Sequence, residues 1–206
     1  MKTLPPLHGH WDRPPPPEAG DPNADILYQA IGAALTWWEG IEENFARLFS
    51  LFTEDKTGAA IRAYGSIASH SGRMEALNNA SEIYLTEREI PKEQADFFDL
   101  LMKHFKKAAS IRNEIAHGKV MGFNMGGKDS GFFLMPAMYN SRKISAYMDF
   151  SKPIDGFAIY RANYRYTSEV VNGFFRKFQE LERLSADFVR YLLYEAPKPH
   201  IESPPE

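Results

Sequence analysis

The residues best suited to chemistry in this chain are Arg112, Asn113 and His117, which lie close together near its middle. They bring a permanent cation, an amide and an imidazole within about one and a half turns of a helix. A guanidinium binds phosphate oxygens through paired hydrogen bonds, and an imidazole can transfer protons near neutral pH. Together the three side chains are suited to chemistry on a phosphate group.

A strongly periodic segment precedes these residues. Apolar side chains recur at steps of three and four between Phe97 and Ile115, which predicts an amphipathic helix. Pro91 is a favoured first helical residue and Gly118 is well placed to end the helix. At about 100° per residue, Asn113 and His117 lie about 40° apart and about 160° from Ile115. We therefore expect both to point away from the core of the chain, with Arg112 on the flank.

A purely structural interpretation of the same residues stays open. His117 would then be a cation at the negative end of the helix dipole, with Gly118 as the C-terminal cap. Arg112 would be a surface residue paired with Glu114 or a neighbour. The amide of Asn113 and the helical context favour the phosphate interpretation.

Three further residues are candidates for accessory roles at such a site. Glu42 could pair with Arg112 within one chain or across a dimer, and His70 and Arg73 belong to a polar stretch that could line a cleft. The alternative for all three is a solvated helix face, which is the commoner use of paired carboxylates and polar stretches.

The elements that must position these residues are predicted to be helices with one interruption. Three helices precede the interruption and one follows it, which indicates a mainly α fold: a four-helix bundle with a small antiparallel β-insert between the third and fourth long helices. Thr167 or Ser168 is expected to cap the fourth helix. The predicted helices span about 24–52, 58–85, 91–118 and 168–194, and short aromatic and β-branched runs at 131–135, 144–150 and 157–160 predict the strands of the insert.

Proline-rich segments flank this body. Residues 1–22 hold seven of the fourteen prolines and are expected to be an extended, polyproline-like or disordered arm, either free or docked on the body. We divide the chain into this arm, a helical domain over 23–195 with the insert at about 119–166, and a proline-rich tail over 196–206. His8 and His10 in the arm are expected to be solvated rather than to bind a metal.

Composition narrows the class of protein. The chain has 206 residues, is 44% hydrophobic and carries a net charge of −3, so it can form a packed core but is not a generally basic nucleic-acid binder. No apolar run approaches the ~20 residues of a membrane span, and the N-terminus does not resemble a secretory signal. The absence of cysteine excludes thiol chemistry and is typical of a cytoplasmic protein.

The motif and its helical setting together resemble the HEPN (higher eukaryotes and prokaryotes nucleotide-binding) superfamily. The hallmark of that family is an Arg and a polar residue followed by a His after a gap of four to six, which Arg112, Asn113 and His117 match with a gap of four. The resemblance covers the helical regions at about 24–118 and 168–194. The β-insert and the proline-rich arms lie outside it.

This resemblance implies a metal-independent endoribonuclease of the toxin or phage-defence type, with no cofactor. Such proteins act as dimers in which the motifs of two chains meet, and this chain carries one copy. Expected partners are a second copy, RNA or a nucleotide, and an antitoxin if one exists. Two alternatives stay open: a non-catalytic HEPN-like module that binds a nucleotide or protein, and a helical interaction protein that uses its proline arms as ligands.

Overall fold

A computed structural model describes residues 4–124, 130–137 and 164–197 of the chain. Within them the fold is mainly α, with a small two-stranded antiparallel sheet. No helix in these residues is long and apolar enough to cross a membrane. The elements are α1 Leu7–His10, α2 Ala24–Phe52, α3 Ala59–Ser66, α4 His70–Glu87, α5 Lys92–Ala116, β1 Gly118–Phe123, β2 Gly131–Pro136 and α6 Ser168–Tyr194. The four-residue α1 is not a regular helix, because His8 and Gly9 within it have non-helical backbone angles.

Helix α2 has the bounds that its apolar periodicity predicts. Asn23 caps its first turn, since its side-chain oxygen accepts hydrogen bonds from the backbone N–H groups of Asp25 and Ile26 at 3.0 and 3.2 Å. Most of its buried apolar residues recur at steps of three and four and form its inner face: Leu27, Ala30, Ala34, Trp38, Ile41, Phe45, Leu48 and Phe52.

The second predicted helix is two helices, so the prediction of one continuous segment over 58–85 was wrong. The chain leaves α3 at Ile67, which has an extended backbone, and starts α4 after Ser69. The Ser69 hydroxyl accepts a hydrogen bond from the Gly72 N–H at 3.0 Å, as an N-cap does. Gly72 has no Cβ, and one built there would lie 2.9 Å from Ile67 Cγ2. The short side chains at this break therefore stabilise a turn where periodicity alone indicated a helix.

Helix α6 begins and ends where predicted, but its cap comes from elsewhere in the chain. The buried carboxylate of Asp21 accepts hydrogen bonds from the N–H and the hydroxyl of Ser168, at 2.7 and 2.6 Å. A negative charge at this position also complements the positive end of the helix dipole. Asp21 thus supplies a cap from outside the helix, where a local cap from Thr167 or Ser168 was predicted.

Strand β2 is paired along both of its edges. One edge pairs with β1, in a register that places Gly118 opposite Pro136 and Phe123 opposite Gly131. On the other edge, isolated bridges join Asp21 to Phe132 and Tyr166 to Leu134. The predicted strand at 131–135 is confirmed. The predicted runs at 144–150 and 157–160 lie outside the described residues.

The chain divides into two compact units. The first contains residues 1–7, 39–107 and 180–206, and the second contains residues 8–38 and 108–179. In the first, the buried rings of Phe45 and Phe105 stack with centroids 3.8 Å apart. In the second, Phe178 lies between two buried tryptophans, Trp11 at 5.9 Å and Trp38 at 5.8 Å.

Candidate functional site

The C-terminal end of α5 carries the candidate catalytic residues. The helix ends at Ala116, and the N–H of His117 still donates to the carbonyl of Asn113 at 3.1 Å. Strand β1 then starts at once with Gly118, whose backbone angle is not in the left-handed region. Gly118 therefore does not act as a left-handed helix cap. Its role is spatial, because a Cβ there would lie 2.6 Å from Leu134 Cδ1.

Asn113 and His117 are both exposed, in agreement with the helical geometry, and Arg112 is partly buried. Arg112 Nη1 donates to Asn113 Oδ1 at 3.2 Å, so the cation and the amide of the motif are in direct contact. The guanidinium carbon of Arg112 lies 6.0 Å from the ring centroid of Trp38, at the outer limit for a cation–π contact. Trp38 is buried on α2 and so provides a fixed surface for this cation.

Glu114, between these residues in the sequence, faces inward and is 2% exposed. Arg13 forms a two-pronged salt bridge with its carboxylate, with Nε donating to Oε2 at 3.1 Å and Nη2 donating to Oε1. Tyr166 also donates to Oε2, at 2.6 Å, and the Tyr164 hydroxyl donates to the backbone carbonyl of Glu114 at 3.1 Å. The structure thus assigns Glu114 a buried anchoring role rather than a place on the surface.

The anchored carboxylate changes the proton affinity of its partners. The hydrogen bond to Glu114 raises the pKa of Arg13 above its ordinary value. Burial raises the pKa of Tyr166 strongly, and its hydrogen bond to Glu114 adds to this effect. Both groups therefore keep their protons, and hence their hydrogen bonds to Glu114, across the neutral range.

Sequence reasoning missed Glu114 because a charged residue next to Arg112 is usually a surface residue. The available signal was its spacing. Glu114 follows Ile111 by three positions and precedes Ile115 by one, so it lies on the apolar side of α5. A charge on such a face needs a buried partner. The matching cation, Arg13, lies in the proline-rich arm, where composition favoured a solvated segment.

The N-terminal arm is docked in the structure. Trp11 is 5% exposed and stacks on Phe178, and Lys177 donates to the carbonyl of His10. Burial lowers the pKa of Lys177. Together with the contacts of Arg13 and Asp21, these bonds make the segment from residue 10 to residue 21 part of the second unit.

The three accessory candidates form a cluster of their own in the first unit. Arg73 Nη1 lies 2.9 Å from one oxygen of Glu42, and His70 Nδ1 lies 3.9 Å from the other. Burial alone would raise the pKa of Glu42, but the electrostatic contact with His70 and the salt bridge from Arg73 outweigh it and lower that pKa. Arg73 also donates to the carbonyl of Ile67 at 3.0 Å and so supports the break between α3 and α4.

Arg112, Asn113 and His117 belong to the second unit, whereas the three accessory candidates belong to the first. Pairing of Glu42 with Arg112 stays a prediction. The described residues contain no group of three or more His, Asp or Glu side chains arranged to hold a metal ion. His70 and Ser71 line a cavity, and Arg73 is not among the residues that line it.

Comparisons with protein-family models, with curated proteins and with solved structures gave no match to this chain. The residues at the end of α5 and their geometry therefore provide the basis for a proposed function.

Proposed function

We propose that this chain is a metal-independent endoribonuclease of the HEPN type that acts as a homodimer. The observation that carries the proposal is the arrangement at the end of α5. Asn113 and His117 face solvent, Arg112 contacts Asn113, and the intervening Glu114 fixes this turn from the inside. A substrate can reach the polar side of the turn while its backbone is held by buried bonds, which is the preorganisation that a catalytic site needs.

The proposed reaction is an intramolecular transesterification of the RNA backbone. The ribose 2′-oxygen attacks the adjacent phosphorus as His117 removes its proton, and the bond from phosphorus to the 5′-oxygen breaks. A second imidazole, from the partner chain, donates a proton to the leaving 5′-oxygen. The products are a 2′,3′-cyclic phosphate and a free 5′-hydroxyl. Arg112 stabilises the negative charge that grows on the phosphoryl oxygens, and Asn113 orients the guanidinium.

The homodimer follows from the count of catalytic groups, because one chain supplies a single copy of the motif. Apolar surface is available for an interface in the second unit, where Tyr28 is 57% exposed, Ile26 40% and Trp37 36%. The proposal includes a four-helix bundle made by α2, α4, α5 and α6. It also includes a cytoplasmic role as a toxin or phage-defence effector, with an antitoxin as a possible partner.

The test is cleavage of RNA in the presence of EDTA by the purified chain and by three variants. We expect Arg112→Ala and His117→Ala to lose cleavage by a factor of about 100 or more, since each removes a group that acts in the transition state. Arg62→Ala is the matched control, because Arg62 is exposed on α3 outside the motif. Cleavage by either motif variant at the rate of the parent would refute the proposal.

Oligomeric state separates the ribonuclease from a non-catalytic module. Light scattering on the same preparations is expected to show a dimer for the parent and for every variant. Mixing Arg112→Ala with His117→Ala chains is expected to restore only a small part of the cleavage, since the mixed site regains one Arg112 and one His117 but lacks the second imidazole that protonates the leaving 5′-oxygen. A dimer that binds RNA or nucleotides without cleaving them would indicate the non-catalytic HEPN-like module instead.

A further inference from the structure

We propose that a cavity between α4 and α5 binds a small organic molecule with a single anionic head group, a phosphate or a carboxylate. The cavity lies wholly within the first unit and has a volume of about 900 Å³. Cavities of roughly 300–1,000 Å³ are typical of small-molecule sites. One wall is formed by α4 from His70 to Thr86, and the other by α5 from Ala95 to Lys106.

One end of this cavity is positively charged. Lys103 and Lys106 both line it and lie three residues apart, so they share one face of α5. His70 is at the same end, because its ring centroid is 4.6 Å from that of Phe105, the residue before Lys106. Helix α4 also starts at His70, which adds the positive end of an 18-residue helix dipole. An anionic head group placed here meets two ammonium groups and an imidazole.

The imidazole of His70 is held in place by groups behind it. Glu42 Oε1 lies 3.9 Å from its Nδ1, and the ring packs edge-on against Phe105. The salt bridge from Arg73 and the contact with His70 lower the pKa of Glu42 in spite of its burial, so this carboxylate stays ionised.

The rest of the cavity defines what the ligand can carry beyond its head group. Met74 and Met102 provide an apolar, adaptable surface against which a ring or short chain can pack. Glu82 lines the far end, twelve residues or about 18 Å of helix from His70, and Asp99 lines the cavity one helical turn before Lys103. These carboxylates, with Glu75 between the two ends, repel a second anionic group. The cavity therefore selects one anionic head and a body that is apolar or donates hydrogen bonds.

The binding test uses methionine methyl groups as reporters. Protein labelled with 13C at its methionine methyls is titrated with phenyl phosphate, benzoate and benzyl alcohol, and the Met74 and Met102 signals are assigned by Met→Leu variants. We expect saturable shifts of both signals with phenyl phosphate or benzoate, with a Kd on the order of 1 mM or tighter. The comparison of these two probes distinguishes a phosphate head from a carboxylate head. Benzyl alcohol has the same ring without the charge and is expected to cause no saturable shift of either signal.

The charge dependence is tested with two double variants of equal net charge. Lys103→Gln with Lys106→Gln removes the two ammonium groups and is expected to raise the Kd of the anionic probes at least about tenfold. Lys107→Gln with Lys119→Gln changes two exposed lysines that do not line the cavity and is expected to bind like the parent. Equal affinity in both double variants, or no saturable shift with either anionic probe, would overturn the proposal. The site does not depend on the ribonuclease proposal, and RNA cleavage plays no part in its test.

Discussion

Arg13 and Glu114 are 101 positions apart in the sequence and form a salt bridge whose carboxylate side chain is 1% exposed. The bridge fixes the proline-rich arm to the helix that carries the candidate catalytic residues. Glu114 is followed three positions later by His117 and preceded directly by Asn113. Contacts that hold Glu114 therefore hold the backbone from which both exposed side chains project.

We expect Arg13→Ala to destabilise the protein by about 3 kcal/mol. Removing one partner of a buried ion pair costs about 3–5 kcal/mol, and the lower end applies because the Arg13 side chain is 36% exposed. The free energy of unfolding in urea measures this change. Arg62→Ala, which removes an exposed arginine from α3, should stay within about 0.5 kcal/mol of the parent. A loss of similar size in both variants would mean that Glu114 does not depend on Arg13.

Asp21→Ala should remove the cap that the arm supplies to α6. Side-chain caps are worth about 0.5–2 kcal/mol, and the two bonds to Ser168 place this one near the upper end. Glu169→Ala is the matched control, because Glu169 is an exposed acidic residue in the first turn of the same helix and acts only through the dipole, for about 0.3–1 kcal/mol. Urea unfolding of both variants measures the difference. If Glu169→Ala costs as much as Asp21→Ala, the buried carboxylate is not the cap.

Tyr166→Phe should make stability less sensitive to alkaline pH. Burial and the bond to Glu114 raise the pKa of Tyr166 in the folded state, whereas in the unfolded chain a tyrosine titrates at about 10. The contribution of its protonated form is thus complete below about pH 10 and is lost as the pH rises above that value, where only the unfolded state releases the proton. Urea midpoints from pH 8 to 11 should fall less steeply for Tyr166→Phe than for the parent.

The variant should also be less stable than the parent at pH 8, since it lacks a hydrogen bond to a charged group worth about 1.5–3 kcal/mol. Tyr28→Phe serves as the control for the alkaline series, because Tyr28 is 57% exposed on α2. Parallel pH curves for the parent and Tyr166→Phe would contradict the assignment.

Asp55→Asn should reduce the loss of stability that the protein shows as the pH falls from 5 to 2. Asp55 accepts hydrogen bonds from the hydroxyl and N–H of Thr57 and from the N–H of Ala60 ahead of α3. The bond from Thr57 is the largest cause that lowers the pKa of Asp55 to about 2, from an ordinary value of 3.8. Its contribution is therefore present above about pH 4 and is lost as the pH falls towards 2. Thermal melts between pH 2 and 5 measure this loss, and Asp25→Asn, an exposed aspartate in α2, is the control.

Much of the helical architecture can be predicted from the sequence because buried helices leave a period of 3.6 in their apolar residues. That period gave α2 and α6 their bounds and placed Asn113 and His117 outside the core. The break between α3 and α4 was missed because it depends on the hydrogen bond from Gly72 to Ser69, which no periodicity records. Such a local bond competes with the helix over only a few residues.

The contacts of the arm could not be predicted for a different reason. Prolines in residues 14–17 indicate an extended chain, but they say nothing about whether that chain is bound. The ion pair of Arg13 with Glu114 joins distant parts of the sequence, and neither residue alone indicates the other. Only the inward position of Glu114 on α5 pointed to a missing cation.

Gly118→Ala should disturb the junction between α5 and β1 more than an ordinary glycine substitution does. The new Cβ would lie 2.6 Å from Leu134 Cδ1 and 2.9 Å from the carbonyl oxygen of Glu114, and overpacking of this kind costs about 1–3 kcal/mol. Gly32→Ala is a control with the opposite expected sign. Gly32 is exposed inside α2 with no atom near its added Cβ, so alanine should stabilise the helix by up to about 1 kcal/mol.

The same substitution links the fold to the proposed chemistry. Because Gly118 directly follows His117, a shift of the strand away from Leu134 moves the backbone that carries the imidazole. A misplacement of about 1 Å can cost a factor of about 100 in rate. We therefore expect Gly118→Ala to lose RNA cleavage under conditions in which it is still folded, as judged by circular dichroism, while Gly32→Ala cleaves like the parent. Full cleavage by a folded Gly118→Ala protein would show that the close contact with Leu134 does not set the position of His117.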